Sequence, residues 1–181
     1  MRFVPTELEG AWIVEPERHS DERGFFARSW CQKGFTQHGL NPNLVQCNIS
    51  FNRYQGTVRG MHFQKAPHEE AKLVRCTSGA IFDIIVDLRP NSATFLQHIG
   101  VQLDSMERNA LFIPEGFAHG FQTLDDCTEV LYQMSIEYRP ESATGLRWND
   151  PALQIEWPLP ISVISDKDST LPTYSGWKEC A

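Results

Sequence analysis

The sequence lacks any apolar run close to the ~20 residues that a membrane-spanning helix requires. Its apolar stretches are short; Ile84-Ile85-Val86, for example, is bounded by Asp83 and Asp87. The first residues also lack the apolar stretch of a signal peptide. We therefore expect a cytoplasmic protein that makes no use of a membrane.

Positive charge and paired cysteines are also scarce. The chain has 16 Lys and Arg against 23 Asp and Glu, and this formal net charge of −7 argues against nucleic-acid binding, which needs a basic face. The cysteines form no C-x-x-C pair, and their odd number disfavours a disulfide framework or a zinc site, so we expect reduced, mostly buried thiols. They are Cys31, Cys47, Cys76, Cys127 and Cys180.

Helical periodicity is nearly absent, and only residues 29–38 are predicted to form a short helix. Glycine and proline instead separate short segments rich in β-branched and aromatic residues, and the tail after Trp157 is predicted to be loop-like. This pattern indicates an all-β sandwich or barrel, and 181 residues fit one domain. The predicted strands cover residues 10–14, 44–50, 57–64, 72–77, 80–88, 97–103, 109–113, 120–123 and 128–138.

Side chains alternate in polarity along several of these strands. In 44–50, for example, Gln46, Asn48 and Ser50 share one face, while Val45 and Cys47 lie on the other. A polar strand face often lies simply in water. A barrel with a polar interior that holds a polar ligand would produce the same alternation, which therefore leaves both interpretations open.

Two histidine-containing segments carry the first chemical signal. A Gly-x-His strand at residues 60–62 and a Pro-x-Gly-x-x-His segment at residues 114–119 form the two-part signature of the cupin barrel. Many cupins bind a metal through His-x-His, but here the second histidine is replaced by Gln64. His62, His119 and Glu69 or Glu70 are the remaining donors for a metal. Because the central pair is incomplete, we expect no metal.

A longer series of motifs identifies the sequence more closely. In chain order they are Asp21-Glu22-Arg23-Gly24-Phe25-Phe26, Gln46-x-Asn48-x-Ser50, Arg59-Gly60-Met61-His62-x-Gln64, Lys72-Leu73-Val74, Asp83-x-x-x-Asp87-Leu88-Arg89, residues 113–121, Glu129-Val130-x-Tyr132 and Ser165-x-Lys167-Asp168. From about residue 3 to residue 172, the chain resembles the dTDP-4-dehydrorhamnose 3,5-epimerase family.

The resemblance implies a fold and an activity. The fold would be an all-β cupin double-stranded β-helix, a jelly roll with a few short helices, as one domain over residues 1–181. The protein would be a homodimer whose N-terminal segment packs on the partner subunit. It would be an isomerase that inverts C3 and C5 of a nucleotide-linked 4-keto-6-deoxyhexose in rhamnose-type deoxysugar biosynthesis, without metal or cofactor.

The resemblance also assigns catalytic roles. His62 matches the base that removes the proton next to the ketone, and an imidazole suits that task near neutral pH. Asp168 matches the carboxylate that orients the imidazole, and Lys72 matches the cation that stabilises the enolate oxygen. Tyr132 matches the acid that returns a proton from the opposite face.

A second set of residues matches contacts to the nucleotide sugar, and Arg23 matches a phosphate contact offered to the partner subunit's site. Asp83 is a further residue expected to support the site. Regular alternation would place Arg59 and His62 on opposite faces of one strand, and a bulge at Gly60 would reconcile them. The predicted substrate-binding residues are Arg23, Phe25, Arg28, Gln46, Asn48, Arg59, His119 and Lys167.

Departures from the family pattern concern the nucleotide end. Ala27 and Arg28 follow Gly-Phe-Phe where many members have a glutamate two positions on, Cys47 replaces an aspartate, and Ala143 replaces a glutamate of some members. We therefore expect thymidine as the base, with relaxed selectivity. Inversion at C3 only or at C5 only, a metal-dependent cupin, and a sugar-binding cupin without activity are the alternatives.

Overall fold

The computed structural model describes residues 1–175 as thirteen strands and two complete short helices. In chain order they are β1 (Arg2–Pro5), β2 (Trp12–Glu15), β3 (Arg18–Asp21), β4 (Gly24–Ala27), α1 (Gln32–Gln37), β5 (Gln46–Asn52), β6 (Val58–Gln64), β7 (Lys72–Ser78), β8 (Ala80–Asp87), β9 (His98–Asp104), β10 (Ala110–Ile113), β11 (Phe117–Thr123), β12 (Thr128–Met134), β13 (Ala143–Gly145) and α2 (Asp166–Ser169).

Two antiparallel sheets form the body of the fold. The first has the order β1-β2-β10-β7-β12-β5 and the second β13-β6-β11-β8-β9, while β3 and β4 form a separate hairpin. Side chains of both sheets meet in one apolar core, which includes Val74, Val130, Ile85 and Phe121. The predicted all-β cupin jelly roll is therefore confirmed.

Each sheet also carries apolar side chains on its outer face, and other segments cover them. Phe35 of α1 packs with Leu73 and Phe112 outside the six-stranded sheet. The C-terminal segment packs Leu153 with Ile84 outside the five-stranded sheet. Because these two segments cover the outer faces of the sheets, strands that carry apolar side chains on both faces remain buried on both.

All nine predicted strands are present, although most of their ends shift by one to three residues. The strand predicted over residues 128–138 is too long, because β12 ends at Met134. Helix α1 is shorter than predicted and covers Gln32–Gln37. Strands β1, β3, β4 and β13 were not predicted: they have three or four residues each, and β3 is fully exposed, so they carry little alternation. The predicted loop-like tail contains α2.

The prediction of mostly buried thiols is wrong for the described cysteines. Cys76 is buried, and burial raises the pKa of its thiol to about 12, but Cys47 and Cys127 are exposed and Cys31 is half-buried. Cys47 is exposed because the polar face of β5 turns inward, so its own face turns outward. All four thiols are free. Cys180 lies outside the described residues.

None of the helices within residues 1–175 has the length and apolar character needed to cross a membrane.

Candidate active site

A cavity of about 540 Å³ opens between the two sheets. Strands β5, β6, β7, β11 and β12 supply most of its wall. The inward face of β5 is the polar one, so the second interpretation of the alternation, a barrel with a polar interior, is correct there. Eight of the twelve predicted site residues line this cavity: Gln46, Asn48, Arg59, His62, Lys72, His119, Tyr132 and Lys167.

The predicted irregularity at Gly60 is present in β6. His62 pairs with His119 and Arg59 pairs with Phe121, so β6 has one residue more than β11 between the two pairs. Gly60 has a φ of +120°, and a Cβ at this position would lie 2.5 Å from the Cα of Gly120. Only glycine fits here. The bulge brings Arg59 and His62 to the same cavity.

His62 and Asp168 form a hydrogen-bonded pair. The Nε2 atom of His62 lies 2.7 Å from Oδ1 of Asp168, and the other carboxylate oxygen accepts the backbone N–H of Gly60 at 3.1 Å. The bulge therefore also supplies a donor that fixes the carboxylate. The His62 side chain is 42% exposed, whereas that of Asp168 is 7% exposed. His62 therefore faces the opening of the cavity, and Asp168 lies behind it.

The pKa of Asp168 is lowered. Burial alone would raise this pKa, but the hydrogen bond and charge of His62, the Gly60 N–H and the charge of Lys167 outweigh it. Ser165 caps α2 by accepting the backbone N–H of Asp168 at 3.1 Å. This cap stabilises a helical turn in the C-terminal tail, and the turn directs the Asp168 side chain toward His62.

Lys72 and Tyr132 lie on neighbouring strands of the six-stranded sheet. The ammonium of Lys72 lies 2.8 Å from a carboxylate oxygen of Glu70, and both side chains are buried. Burial raises the pKa of Tyr132, although the charge of Arg59 opposes the shift. Tyr132 is therefore a protonated phenol at neutral pH, as a proton donor must be.

A second histidine–carboxylate pair lies beside the first. Nε2 of His119 is 2.6 Å from Oδ1 of Asp83, which is fully buried on β8. Within residues 1–175, no donor reaches the second oxygen of this carboxylate. Asp83, which was expected to support the site, thus contacts His119 and holds its ring at the cavity wall.

The polar residues predicted to bind substrate are themselves organised. Arg59 donates from Nε to the side chain of Asn52 at 2.7 Å. Gln46 donates from Nε2 to Asn48 at 3.1 Å and accepts the backbone N–H of Tyr138 at 3.0 Å. Their groups are held by the protein before any ligand arrives, which lowers the entropy lost on binding.

Three of the possible metal donors make other contacts, since His62 and His119 each pair with an aspartate and Glu70 pairs with Lys72. The amide oxygen of Gln64 accepts the Arg139 N–H at 2.5 Å, and its nitrogen donates to the backbone oxygen of His68 at 2.9 Å. Glu70 pairs with a lysine, and Glu69 is exposed. In the described part of the chain, no three His, Cys, Asp or Glu side chains are grouped to hold a metal ion.

Three predicted binding residues lie away from the cavity. Arg23 and Phe25 belong to the β3–β4 hairpin, where Arg23 pairs with Asp21 at 2.5 Å and the guanidinium of Arg18 lies over the Phe25 ring. Arg28 follows the hairpin and is exposed. None of the three lines the cavity of their own chain.

Some cavity residues were not singled out as binding or catalytic by sequence reasoning. Tyr138, Ala143, Thr144 and Glu70 line the cavity. Thr144 enters through β13, which is too short to show alternation; Ala143, on the same strand, is the position that the resemblance assigns to the nucleotide end. Tyr138 follows the end of β12 and belongs to no motif. Glu70 stands two residues before Lys72, and the sequence suggests it only as a metal donor.

A polar cavity inside a cupin barrel, with a histidine–carboxylate pair, a lysine and a protonated tyrosine, defines an acid–base enzyme of the isomerase class. The family model described as dTDP-4-dehydrorhamnose 3,5-epimerase matches residues 5–175. The dTDP-4-dehydrorhamnose 3,5-epimerase of Methanothermobacter thermautotrophicus is 45% identical over 170 residues, covering 92% of this chain and 91% of its own.

Solved structures agree with this match. The dTDP-4-dehydrorhamnose 3,5-epimerase from Elizabethkingia anophelis has a TM-score of 0.94 and 39% identity, with 97% of each chain covered. A dTDP-6-deoxy-D-glucose-3,5-epimerase from Legionella pneumophila, in complex with dTDP-4-keto-L-rhamnose, has a TM-score of 0.88 and 35% identity, covering 95% of this chain and 92% of its own. The chain belongs to the dTDP-4-dehydrorhamnose 3,5-epimerase family.

Proposed function

We propose that this protein inverts C3 and C5 of a dTDP-linked 4-keto-6-deoxyhexose in rhamnose-type biosynthesis. The observation that supports this most is the His62–Asp168 pair, 2.7 Å apart and open to a cavity that also contains Lys72 and Tyr132. A carbon next to a ketone loses its proton when a base, an oxyanion partner and an acid are held together. The proposed reaction uses no metal or cofactor.

His62 removes the proton in this mechanism. Because the ionised Asp168 can only accept hydrogen bonds, Nε2 of His62 carries a hydrogen and Nδ1 is the basic nitrogen. Asp168 then stabilises the imidazolium that forms, and its lowered pKa keeps it ionised at neutral pH. The exposed side of the ring is the side on which a substrate would lie.

Lys72 and Tyr132 complete the inversion. The ammonium of Lys72 stabilises the negative charge that develops on the C4 oxygen when the neighbouring carbon loses its proton. Tyr132 then delivers its phenolic proton to the opposite face of that carbon, and its raised pKa keeps that proton available. The same four side chains would act at both C3 and C5.

The experiment that tests this function is proton exchange with solvent. Incubation with the dTDP-4-keto-6-deoxy sugar in heavy water should place deuterium at both C3 and C5, as read by NMR. Exchange at one carbon only would make the protein a mono-epimerase. No exchange with any nucleotide-linked 4-keto sugar would contradict the proposal.

We propose a homodimer in which Arg23 and Phe25 reach the partner subunit's cavity. Support comes from their position on a hairpin outside their own cavity and from the exposure of Phe25. Val45 and, on the edge strand β5, Ile49 and Phe51 are apolar side chains that are each more than half exposed. Exposed apolar side chains along the open edge of a sheet are a feature that monomers avoid.

The nucleoside is proposed to be thymidine, with relaxed selectivity. Ala143 lines the cavity wall on β13 and offers no acceptor where a glutamate would offer one. Loss of an acceptor reduces discrimination against other bases by up to a few kcal/mol. Calorimetric titration of dTDP, UDP, GDP and CDP tests this. We expect dTDP to bind best, with a Kd no more than about tenfold below that of the next nucleotide. Tight binding of GDP or CDP alone would contradict it.

A cytoplasmic location is also proposed. The exposed free thiols of Cys47 and Cys127 fit a reducing compartment, as does a nucleotide-sugar substrate.

A further inference from the structure

Glu70 is a buried carboxylate in the cavity wall to which the mechanism above gives no role. It precedes β7 by two residues, and its side chain is 4% exposed. A buried carboxylate without partners is costly, so its contacts define what it does. Sequence reasoning had considered it only as a metal donor, a role that its ion pair opposes.

Both carboxylate oxygens of Glu70 are engaged. Oε1 lies 2.8 Å from Nζ of Lys72, and Oε2 accepts the backbone N–H of Gln64 at 3.1 Å. Gln64 is the last residue of β6, the strand that carries His62. Glu70 therefore ties the ammonium of Lys72 on one sheet to the backbone of the other sheet.

The position of the Lys72 ammonium depends on this tie. Within residues 1–175, its three N–H bonds have two acceptors, Glu70 and, at 3.4 Å, the backbone oxygen of His62. The third N–H remains for a ligand in the cavity. A lysine side chain has four rotatable methylene bonds, so without Glu70 the ammonium would sample several positions.

We propose that Glu70 is a positioning residue that holds the Lys72 ammonium at the place where the enolate oxygen develops. This inference rests on the proposed catalytic role of Lys72. Glu70 does not touch substrate in this proposal; it acts through Lys72 alone. A displacement of about 1 Å in such a group costs up to about 10²-fold in rate.

The alternative is that the ion pair serves only the stability of the fold. Buried ion pairs contribute little net stability, but removal of one partner destabilises because the other charge is left unpaired. A structural role would thus lower the melting temperature in Glu70→Ala and leave the turnover of the folded fraction unchanged. A positioning role lowers kcat itself.

The test is a double-mutant cycle on kcat for the inversion, with Glu70→Ala, Lys72→Met and the double variant. We expect Glu70→Ala to lower kcat by about 10–100-fold, with KM changed less than about threefold. In the Lys72→Met background, Glu70→Ala should lower kcat by less than about twofold. The exposed neighbour Glu69→Ala is the matched control and should keep wild-type kcat.

Glu70→Gln is the second variant, in case the alanine variant folds poorly. One amide oxygen can serve only one of the two donors that the carboxylate serves, so its kcat should lie between those of wild type and Glu70→Ala. If the kcat losses of the two single variants multiply fully in the double variant, or if Glu70→Ala changes KM alone, the positioning role is overturned. Either result would leave the proposed function intact. Full activity of Lys72→Met would overturn both roles at once.

Discussion

At the scale of single residues, the site separates the proposed base, His62, from the carboxylate proposed to orient it, Asp168. His62 is partly exposed to the cavity, whereas Asp168 lies behind it with both oxygens engaged. The only other histidine in the cavity wall, within residues 1–175, is His119, and its Nε2 faces a different carboxylate. The proposed chemistry therefore depends on one base, and the roles of base and acid can be tested separately.

Replacement of His62 by alanine should abolish deuterium exchange at both C3 and C5. The variant lacks the only proposed base, and loss of a general base costs about 10²–10⁴-fold. NMR of the sugar in heavy water measures both positions in one sample. Wild-type exchange at either carbon would show that another group removes that proton; unchanged dTDP binding by calorimetry serves as the control for folding.

Tyr132→Phe should instead separate exchange from inversion. The variant keeps the base, so deuterium can still enter from the original face, but it lacks the phenolic proton for the opposite face. We expect exchange within about tenfold of wild type and inversion reduced by about 10²-fold or more. An equal loss of both rates would contradict this division of roles.

The residues of the site were largely predictable because they belong to motifs. Eight of the twelve predicted residues line the cavity and a ninth, Asp168, contacts one of them. The ion pair of Glu70 with Lys72 was not predicted, although the two residues are only two positions apart, because Glu70 lies outside the strand pattern and spacing does not report which side chains meet. The exposed position of Cys47 was missed because a free cysteine is most often buried.

At the scale of elements, one irregular strand organises the catalytic pair. The bulge in β6 turns Arg59 and His62 toward one cavity, and its glycine donates to Asp168. Strong alternation predicted the central strands well, whereas β3, β4 and β13 are too short or too exposed to show any. The bulge was predictable only because two motif residues otherwise pointed to opposite faces.

Gly60→Ala should therefore lower both stability and activity. An added Cβ would lie 2.5 Å from Gly120 Cα and 2.8 Å from the His119 oxygen, which are backbone atoms that cannot rotate away. We expect a loss of about 2–4 kcal/mol in unfolding free energy and at least about 10²-fold in kcat.

Gly39→Ala is the matched control for Gly60→Ala. Gly39 also has a positive φ, +71°, but an added Cβ meets no atom within 4 Å. It should cost about 1 kcal/mol and leave kcat unchanged. Chemical denaturation and steady-state kinetics measure both quantities, and equal effects of the two variants would show that backbone strain alone, not the close approach of β11, explains the result.

At the scale of the whole molecule, the hairpin that carries Arg23 contributes nothing to the cavity of its own chain, which is the geometry expected of a shared site. In the proposed homodimer, the Arg23→Ala and His62→Ala variants should each be nearly inactive on their own. The mixed dimer has one intact site of two, so it should have about half of wild-type activity, and a co-expressed mixture, in which about half of the dimers are mixed, should have about a quarter. Separate tags allow the mixed dimer to be purified, and activity no higher than that of the parents would contradict the shared site.

Stability of the whole barrel should depend on pH through Asp87. Burial alone would raise the pKa of this carboxyl, but hydrogen bonds from Arg89, Ser92 and Thr94 outweigh it and lower the pKa from 3.8 to about 2. The stabilisation is present above the unfolded pKa and is lost as pH falls through the folded pKa, that is, between about pH 4 and 2.

Asp87→Asn should thus be less stable than wild type by about 2 kcal/mol at pH 7, and the difference should shrink between pH 4 and pH 2. Urea unfolding at fixed protein concentration measures this difference at each pH. The exposed Glu69→Gln serves as the control, with no difference expected at any pH. A difference that stays constant down to pH 2 would mean that the hydrogen-bond geometry, not the charge, stabilises this corner.

The pairing of His62 with Asp168 joins two segments that are 106 residues apart along the chain. A contact of such long range closes a large loop, and its entropic cost is recovered only after the barrel beneath it has formed. Asp168 also follows all thirteen described strands in the chain, so His62 meets its proposed orienting carboxylate only when α2 docks onto β6. A nascent chain on the ribosome would therefore carry every described strand of the barrel before it became competent to act on its sugar.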